Sequence, residues 1–372
     1  MNFRTRKLGT LLAAGAVATL PTVGSAGAQV PAAVACGQTI TQSTVLTADV
    51  GPCPNNGIIV GADNIVLDLA GHRVFGTPQA GDGAGILLRT RQGVPVRNGT
   101  VALFAGGVVI LGGSGTTVLR MFANNNIGAS AGHEGPSLTL YGDGILIQGS
   151  SANSILQNSV DNIGPFSGIG VIIGDADHPA IPPALANNNL IQGNRVTNNV
   201  ACRGTASSPF CDNDGIRLEP RVGGTCLTGA AICPGPGNRV IGNQVFGNGL
   251  DGISLFGFTT NNVVSGNTVD GNGFRGAVPG DGIRVFGSNN TIDSNSASAN
   301  AAAGVSVARR PPTSGSFPAA NPNGRNNVLR SNRAFGNGFA DLWDSNRNPD
   351  CDNNLWTGNQ GRVAIPPCTR NP

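Results

Sequence analysis

Along most of this chain the apolar residues recur in alternating pairs rather than in helical stripes. In Asp281-Gly282-Ile283-Arg284-Val285, Ile283 and Val285 fall on one side of an extended segment, with Gly282 and Arg284 on the other. Ile216/Arg217/Leu218 and Ile253/Ser254/Leu255 keep the same order. The phrase recurs with its sequel. Asp251-Gly252-Ile253-Ser254-Leu255 leads to Asn261-Asn262-Val263-Val264, then Gly266-Asn267-Thr268-Val269, then Gly271-Asn272-Gly273. Asp281-Gly282-Ile283 leads to Asn289-Asn290-Thr291-Ile292, then Asn295 and Asn300. Other copies start at Asp143-Gly144-Ile145, Gly168-Ile169, Asp214-Gly215-Ile216, Gly304-Val305 and Asp341-Leu342. The shortest interval between equivalent apolar positions, Ile283 to Val305, is 22 residues.

Each copy predicts three short strands separated by Gly/Asn turns, with no helix between them. Such a coil cannot bury its own apolar residues, but coils stacked about 4.8 Å apart share one continuous interior. The expected fold class is all-β: a single right-handed parallel β-helix, a solenoid of three-strand coils numbering on the order of ten. Looser copies in the first half, Asn64-Ile65-Val66-Leu67-Asp68-Leu69 and Gly107-Val108-Val109-Ile110-Leu111, join the same solenoid. Asn158, Asn194, Asn243, Asn267, Asn295, Asn332 and Asn359 sit at matching places before a turn. Asn tolerates positive φ, and its amide can hydrogen-bond its counterpart one coil away, so the row is expected to be a structural ladder.

Composition narrows the partners. Arg4, Arg6 and Lys7 precede an apolar stretch over residues 8–20, and Ala26-Gly27-Ala28 offers a small-x-small cleavage site. Residues 1–28 are expected to be a signal peptide, since thirteen apolar residues are too few to span a bilayer. Removing them brings the formal charge from +3 to zero and takes away Lys7, the one lysine. A neutral mature chain has no electrostatic footprint for nucleic acid, and it holds no transmembrane segment. The eight Cys suggest four local disulfides, Cys36–Cys53, Cys202–Cys211, Cys226–Cys233 and Cys351–Cys368, the first and last stapling the two ends. A zinc site is disfavoured: no Cys-x-x-Cys pair exists, and only His72, His133 and His178 are available. The expected layout is a signal peptide at 1–28, an N-terminal cap region at 29–54 and a β-helix with C-terminal cap at 55–372. The expected product is a secreted monomer (extracellular, cell-surface or periplasmic).

The D-G-I…N-N-x-[IV]-x-x-N-x-[VA]…G-N-G phrase, with Arg97-Asn98-Gly99-Thr100-Val101, resembles the right-handed parallel β-helix repeat proteins of the pectin lyase-like superfamily over residues 55–359. The resemblance implies the fold and, by analogy, an extracellular polysaccharide or cell-surface glycan as partner. Individual family motifs match poorly. Asp212-Asn213-Asp214-Gly215 resembles the polygalacturonase Asn-x-Asp-Gly stretch, but Asp212 replaces Asn and Leu250 precedes Asp251 where that family has paired Asp. Its Gly-His-Gly and Arg-x-Lys elements have no counterpart, which disfavours a polygalacturonase-type hydrolase. Asp175-Ala176-Asp177-His178-Pro179 resembles the alginate-epimerase Asp-Pro-His-Asp element in the wrong order and reads better as a Pro-rich turn. His72 is expected to mark a turn after an N-terminal strand, and His133 lies in an insertion.

The candidate catalytic residues lie on the repeated Asp-Gly-Ile edge. In-register coils stack Asp214, Asp251 and Asp281, with Arg217 and Arg284 three residues beyond the first and last. Carboxylates about 5 Å apart repel by roughly 1 kcal/mol in water and by several at an effective dielectric of 20. A cation, a raised pKa or interleaved guanidinium groups relieve this. Glu219, Arg221, Arg309 and Arg310 are further candidates for the neighbourhood. Such a strip suits an acidic sugar and Ca²⁺, the one cofactor considered, with Arg removing a proton in a lyase reaction. The insertions at 201–233 and 309–326 would wall the groove. The plain alternative is that each Asp hydrogen-bonds the turn of the next coil. The sequence therefore supports two functions: a uronate-polymer lyase or epimerase, and a non-catalytic surface or matrix protein. Soft-metal delivery is a third, disfavoured by two Met and three scattered His.

Overall fold

Residues 253–285 show how the repeat folds. Ile253–Leu255 is the first strand of a coil, Val263–Ser265 the second and Thr268–Asp270 the third; Ile283–Val285 opens the next coil. Each strand is short because a Gly/Asn corner follows it. Equivalent strands pair in parallel, Ile253 with Ile283, Val264 with Ile292 and Val269 with Ala297. The computed structural model describes residues 30–77, 83–128, 142–172, 185–205, 208–210, 213–219, 236–257, 259–275, 278–307, 324–345 and 351–369. Within these, the first face is a sheet of twelve parallel strands from Gln38–Ile40 to Ala364–Ile365. The second and third faces form one twenty-stranded sheet, because Pro95–Ala102 and Thr117–Asn124 run through both without a break. The expected signal peptide, Cys226–Cys233, His133, His178, Arg221, Arg309 and Arg310 lie outside the described residues.

Inward Ile, Leu and Val from all three faces form a continuous column from Ile40 to Trp356. Burying each such side chain fully contributes about 1.5–3 kcal/mol. One expectation about parity is corrected. Gly282 was assigned to the outer side, but a Cβ there would point inward, 2.5 Å from Asn300 Nδ2 and 3.1 Å from Ala297 Cβ. At Gly252 it would lie 2.2 Å from Val269 Cγ1, and at Gly215, 2.4 Å from Val245 Cγ1. Two successive residues, the Gly and the Ile after it, therefore face the core. Strict alternation would put residues i and i+3 on opposite sides; the doubled inward step returns them to the same side.

The Asn row is a ladder. From Asn158 through Asn194, Asn243, Asn267, Asn295, Asn332 and Asn359, each Nδ2 donates to the next Oδ1 at 2.9–3.0 Å. The second amide hydrogen goes to a backbone carbonyl; for Asn267 this is Val240 at 2.9 Å. The Oδ1 also accepts a backbone N–H from the preceding coil, as Asn267 does from Asn243 at 2.8 Å. Positive φ is not the reason for Asn here. The residue before it takes that conformation, Gly266 at 63° and Ser294 at 55°, for example. A parallel ladder, Asn153 through Asn189 to Asn238 and on to Asn354, guards the corner before the second face.

Both end disulfides form as expected, Cys36–Cys53 and Cys351–Cys368. Cys202 is also disulfide-bonded, while its expected partner Cys211 lies outside the described residues. Residues 30–53 carry strands of the same sheets, Gln38–Ile40 pairing with Ile58–Val60 and Val50–Cys53 with Arg73–Gly76.

Substitutions should separate ladder from core. Asn267→Ala removes two donated bonds and an acceptor from a buried row, and should cost about 2–4 kcal/mol in denaturant unfolding. Gly252→Ala should cost at least as much, by forcing Val269 and the Gly282 carbonyl apart. Near-neutral effects for both would contradict the ladder and the inward glycine.

Candidate functional site

The first face changes character along its length. Its outward central column runs Leu87, Val109, Leu146, Gly170, Arg217, Ser254, Arg284, Ser306 and Trp343. The first three are apolar and buried in an outer cluster of their own. From Arg217 to Ser306 the column is polar, and Trp343 closes it. The five residues singled out in the sequence converge there. Arg284 Nε donates to Asp281 Oδ2 at 2.7 Å, and its Nη1 is 3.3 Å from Asp251 Oδ2. Arg217 Nη1 is 3.7 Å from Asp214 Oδ2, and its Nε is 2.6 Å from Glu219 Oε2. Asp214 and Asp281 each share a side with the Arg three residues on, because of the doubled inward step at the intervening Gly-Ile.

The carboxylates do not line an open groove. Asp214, Asp251 and Asp281 are at most 1% exposed. Each uses one oxygen to hold the neighbouring coil: the N–H of Asp251 donates to Asp214 Oδ1 (3.0 Å), that of Asp281 to Asp251 Oδ1 (2.7 Å), and that of Ala303 to Asp281 Oδ1 (2.8 Å). The second oxygen faces the guanidinium groups, and Asp281 Oδ2 also accepts from Ser306 Oγ at 2.6 Å. The structural and the chemical reading of the Asp column therefore each describe one oxygen of the same carboxylate.

Arg284 is the accessible member, with 18% of its side chain exposed. Burial alone lowers its pKa, but the Asp251 and Asp281 carboxylates outweigh this and hold it above the ordinary guanidinium value. Arg284 is thereby held as a charged group between the two carboxylates. Its Nη2 donates no hydrogen bond among the described residues. Two aromatic rings that the sequence did not single out stand beside the arginines. The Arg217 guanidinium lies 4.1 Å from the Phe256 ring centroid and that of Arg284 5.7 Å from Phe286, the two rings being 5.7 Å apart. The signal was the Phe that closes both Asp-Gly-Ile-x-[Leu/Val]-Phe phrases. Ser254 and Ser306, between and beyond the arginines, were also missed.

Among the described residues, twelve parallel rungs, three faces and an inward apolar column together decide the architecture. The chain is a right-handed parallel β-helix of the pectin lyase-like fold. A family model described as the right handed beta helix region matches residues 143–317 of this β-helix. Among solved structures, the A-module of the mannuronan C-5 epimerase of Azotobacter vinelandii is similar at a TM-score of 0.51 and 14% identity, covering 90% of this chain and 84% of that one. A variant of a periplasmic alginate epimerase aligns at 0.48 and 15%, covering 86% and 73%. An alginate lyase from a Paenibacillus species aligns at 0.41 and 15%, covering 92% and 90%. The curated proteins contain no match to this sequence.

Elsewhere the β-helix holds less chemistry. Among the described residues, no group of three or more His, Cys, Asp and Glu is arranged to hold a metal ion, and no helix is long and apolar enough to cross a membrane. His72 closes a turn, its N–H donating to the Leu69 carbonyl at 2.7 Å, with Asp49 at 3.4 Å. Asp341 stands outside the Asp column, since it follows Gly282 and Gly304 in register while Ala303 and Ala340 follow Asp281. Its Oδ2 accepts the N–H groups of Arg362 (2.7 Å) and Val363 (3.0 Å), and its Oδ1 accepts Asn337 Nδ2 (3.1 Å). Burial pushes its carboxyl up, but these hydrogen bonds prevail and hold it below the ordinary carboxylate range.

Two outcomes follow for stability. Because the folded-state pKa of Asp341 is depressed, its contribution is complete above the unfolded-state value of about 4 and lost as pH falls through the folded one. Thermal melts of Asp341→Asn should therefore show a shallower acid loss than wild type. Arg284→Gln should lower stability by about 2–4 kcal/mol, by leaving two buried carboxylates without their cation, and a double-mutant cycle with Asp281→Asn should show strong coupling. Additive effects would mean that the pair does not act as a unit.

Proposed function

We propose that this β-helix is an exported protein that binds an acidic extracellular polysaccharide along the polar half of its first face, and processes it as a lyase or an epimerase. One observation carries the reading: Arg284 is a permanently charged guanidinium, clamped from within by Asp251 and Asp281, with Nη2 unused and part of the side chain in solvent. A preorganised cation of this kind suits the carboxylate of a uronate unit. Neutralising that carboxylate makes the adjacent C5 proton acidic. A base then takes the proton, and in a lyase the electron pair forms the C4–C5 double bond as the C4–O bond breaks and the departing oxygen takes up a proton from water; in an epimerase a proton returns from the opposite side. Since Arg284 holds its own proton, the base in this reading is a carboxylate of the strip, Asp214 or Asp251. The disulfides at both ends suit an oxidising compartment, and the mature chain acts as a monomer.

The Oδ1 contacts favour a second reading, in which the Asp column only locks the coils and the face binds glycan without chemistry. Incubation with alginate and polygalacturonate, with and without Ca²⁺, separates the two. A lyase produces ultraviolet absorbance from an unsaturated sugar, and an epimerase changes the uronate composition seen by NMR. Arg284→Gln should reduce either activity by roughly 10²-fold, the scale of losing one charge-stabilising donor. Binding without product would support the second reading, and full activity in the variant would remove Arg284 from the site.

A further inference from the structure

Ser254 stands between the two arginines. It pairs in register with Arg217 on one side and Arg284 on the other, and Arg284 leans toward the coil of Ser254 to reach Asp251. Its neighbours Ile253 and Leu255 face the core, so its own side chain points outward into the charged strip. Ser254 is fully buried, and its Oγ has no hydrogen-bond partner. The serine one coil beyond Arg284 behaves differently: Ser306, equally buried, donates to Asp281 Oδ2 at 2.6 Å. Two serines in equivalent positions thus differ in one respect, and the open one lies between the guanidinium groups. A buried hydroxyl left without a partner is unfavourable unless something else supplies one.

We propose that Ser254 is a specificity-determining binding residue, whose hydroxyl takes a ring hydroxyl of the sugar unit held by Arg284. The proposal rests on the polysaccharide reading above and names the group recognised at this one subsite. Among the described residues, the two arginines on either side of Ser254 are already matched by four carboxylates, Asp214, Glu219, Asp251 and Asp281. A second anion placed against Ser254 would meet that negative charge. A neutral hydroxyl carries one donor and two acceptor lone pairs, and so matches both Ser254 Oγ and the carboxylate and guanidinium groups beside it. Hexuronate polymers differ in the orientation of their ring substituents, so a fixed hydroxyl at this point discriminates among them.

The test uses the full mature chain and oligomers of mannuronate, guluronate and galacturonate. Titration calorimetry gives wild-type affinities and the ratio between best and worst oligomer. Ser254→Ala should weaken the best oligomer about tenfold, equivalent to about 1.4 kcal/mol, and narrow that ratio. It should also raise the melting temperature of the free protein by about 1–2 °C, because it removes a hydroxyl that the folded state leaves unsatisfied. Ser306→Ala should do the opposite to stability, lowering the melting temperature by breaking the bond to Asp281. If wild type binds and Ser254→Ala keeps both affinity and ratio, the hydroxyl holds only water and the proposal is overturned. If the variant loses stability together with binding, Ser254 is a packing residue and the proposal is again overturned. If wild type binds none of the three oligomers, the polysaccharide reading itself falls and takes this inference with it.

Discussion

A buried amide has to be satisfied on every side, and in the Asn158–Asn359 ladder of this molecule the side-chain partner lies one coil away. Each Asn of the ladder donates to the next coil and accepts a backbone N–H from the preceding one, so a coil slipped by a single residue would leave several polar groups stranded in the interior. Parallel pairing alone allows such slips, since every strand offers the same evenly spaced donors and acceptors. The ladders remove that freedom. Vertical register then follows for every other column, including the outward one that carries the charged groups.

The charged strip depends on that register in a second way. Three carboxylates at successive levels would repel one another in any stack. Here each is divided: one oxygen is bound by a backbone N–H of the neighbouring coil, the other faces a guanidinium. Arg284 reaches back across the level of Ser254 to Asp251, while Arg217 is held on its own level by Asp214 and Glu219. Phe256 and Phe286 support the guanidinium planes from the side. A cation fixed by three kinds of contact is preorganised, which is the condition for using it on a ligand rather than merely balancing charge.

The N-terminal half follows the same coil plan without the chemistry. Its outward first-face positions are Leu87, Val109 and Leu146 rather than Arg and Ser, and they pack among themselves. One scaffold thus carries an apolar half and a polar half on a single continuous sheet. The transition falls at Gly170, where an added Cβ would come within 2.8 Å of Asp143 Oδ1. The polar half begins at the next level.

The primary structure by itself determined the winding. Apolar alternation in threes, Asn before each corner and Gly after each Asp encode local geometry, and local geometry repeated at a short interval leaves one way to bury the apolar side. The seven Asn of the ladder and the two end disulfides were legible for the same reason, as recurrence and spacing are properties of the chain. The sharing of one side by Asp281 and Arg284 was not legible. It depends on Gly282 turning inward together with Ile283, and simple alternation predicts the reverse. Nor could spacing distinguish Ser254 from Ser306, which occupy equivalent places in the repeat. Only the stacked structure decided that one hydroxyl closes onto Asp281 while the other is left open, because hydrogen-bond partners in this fold come from neighbouring coils, some 20 to 50 residues away in sequence.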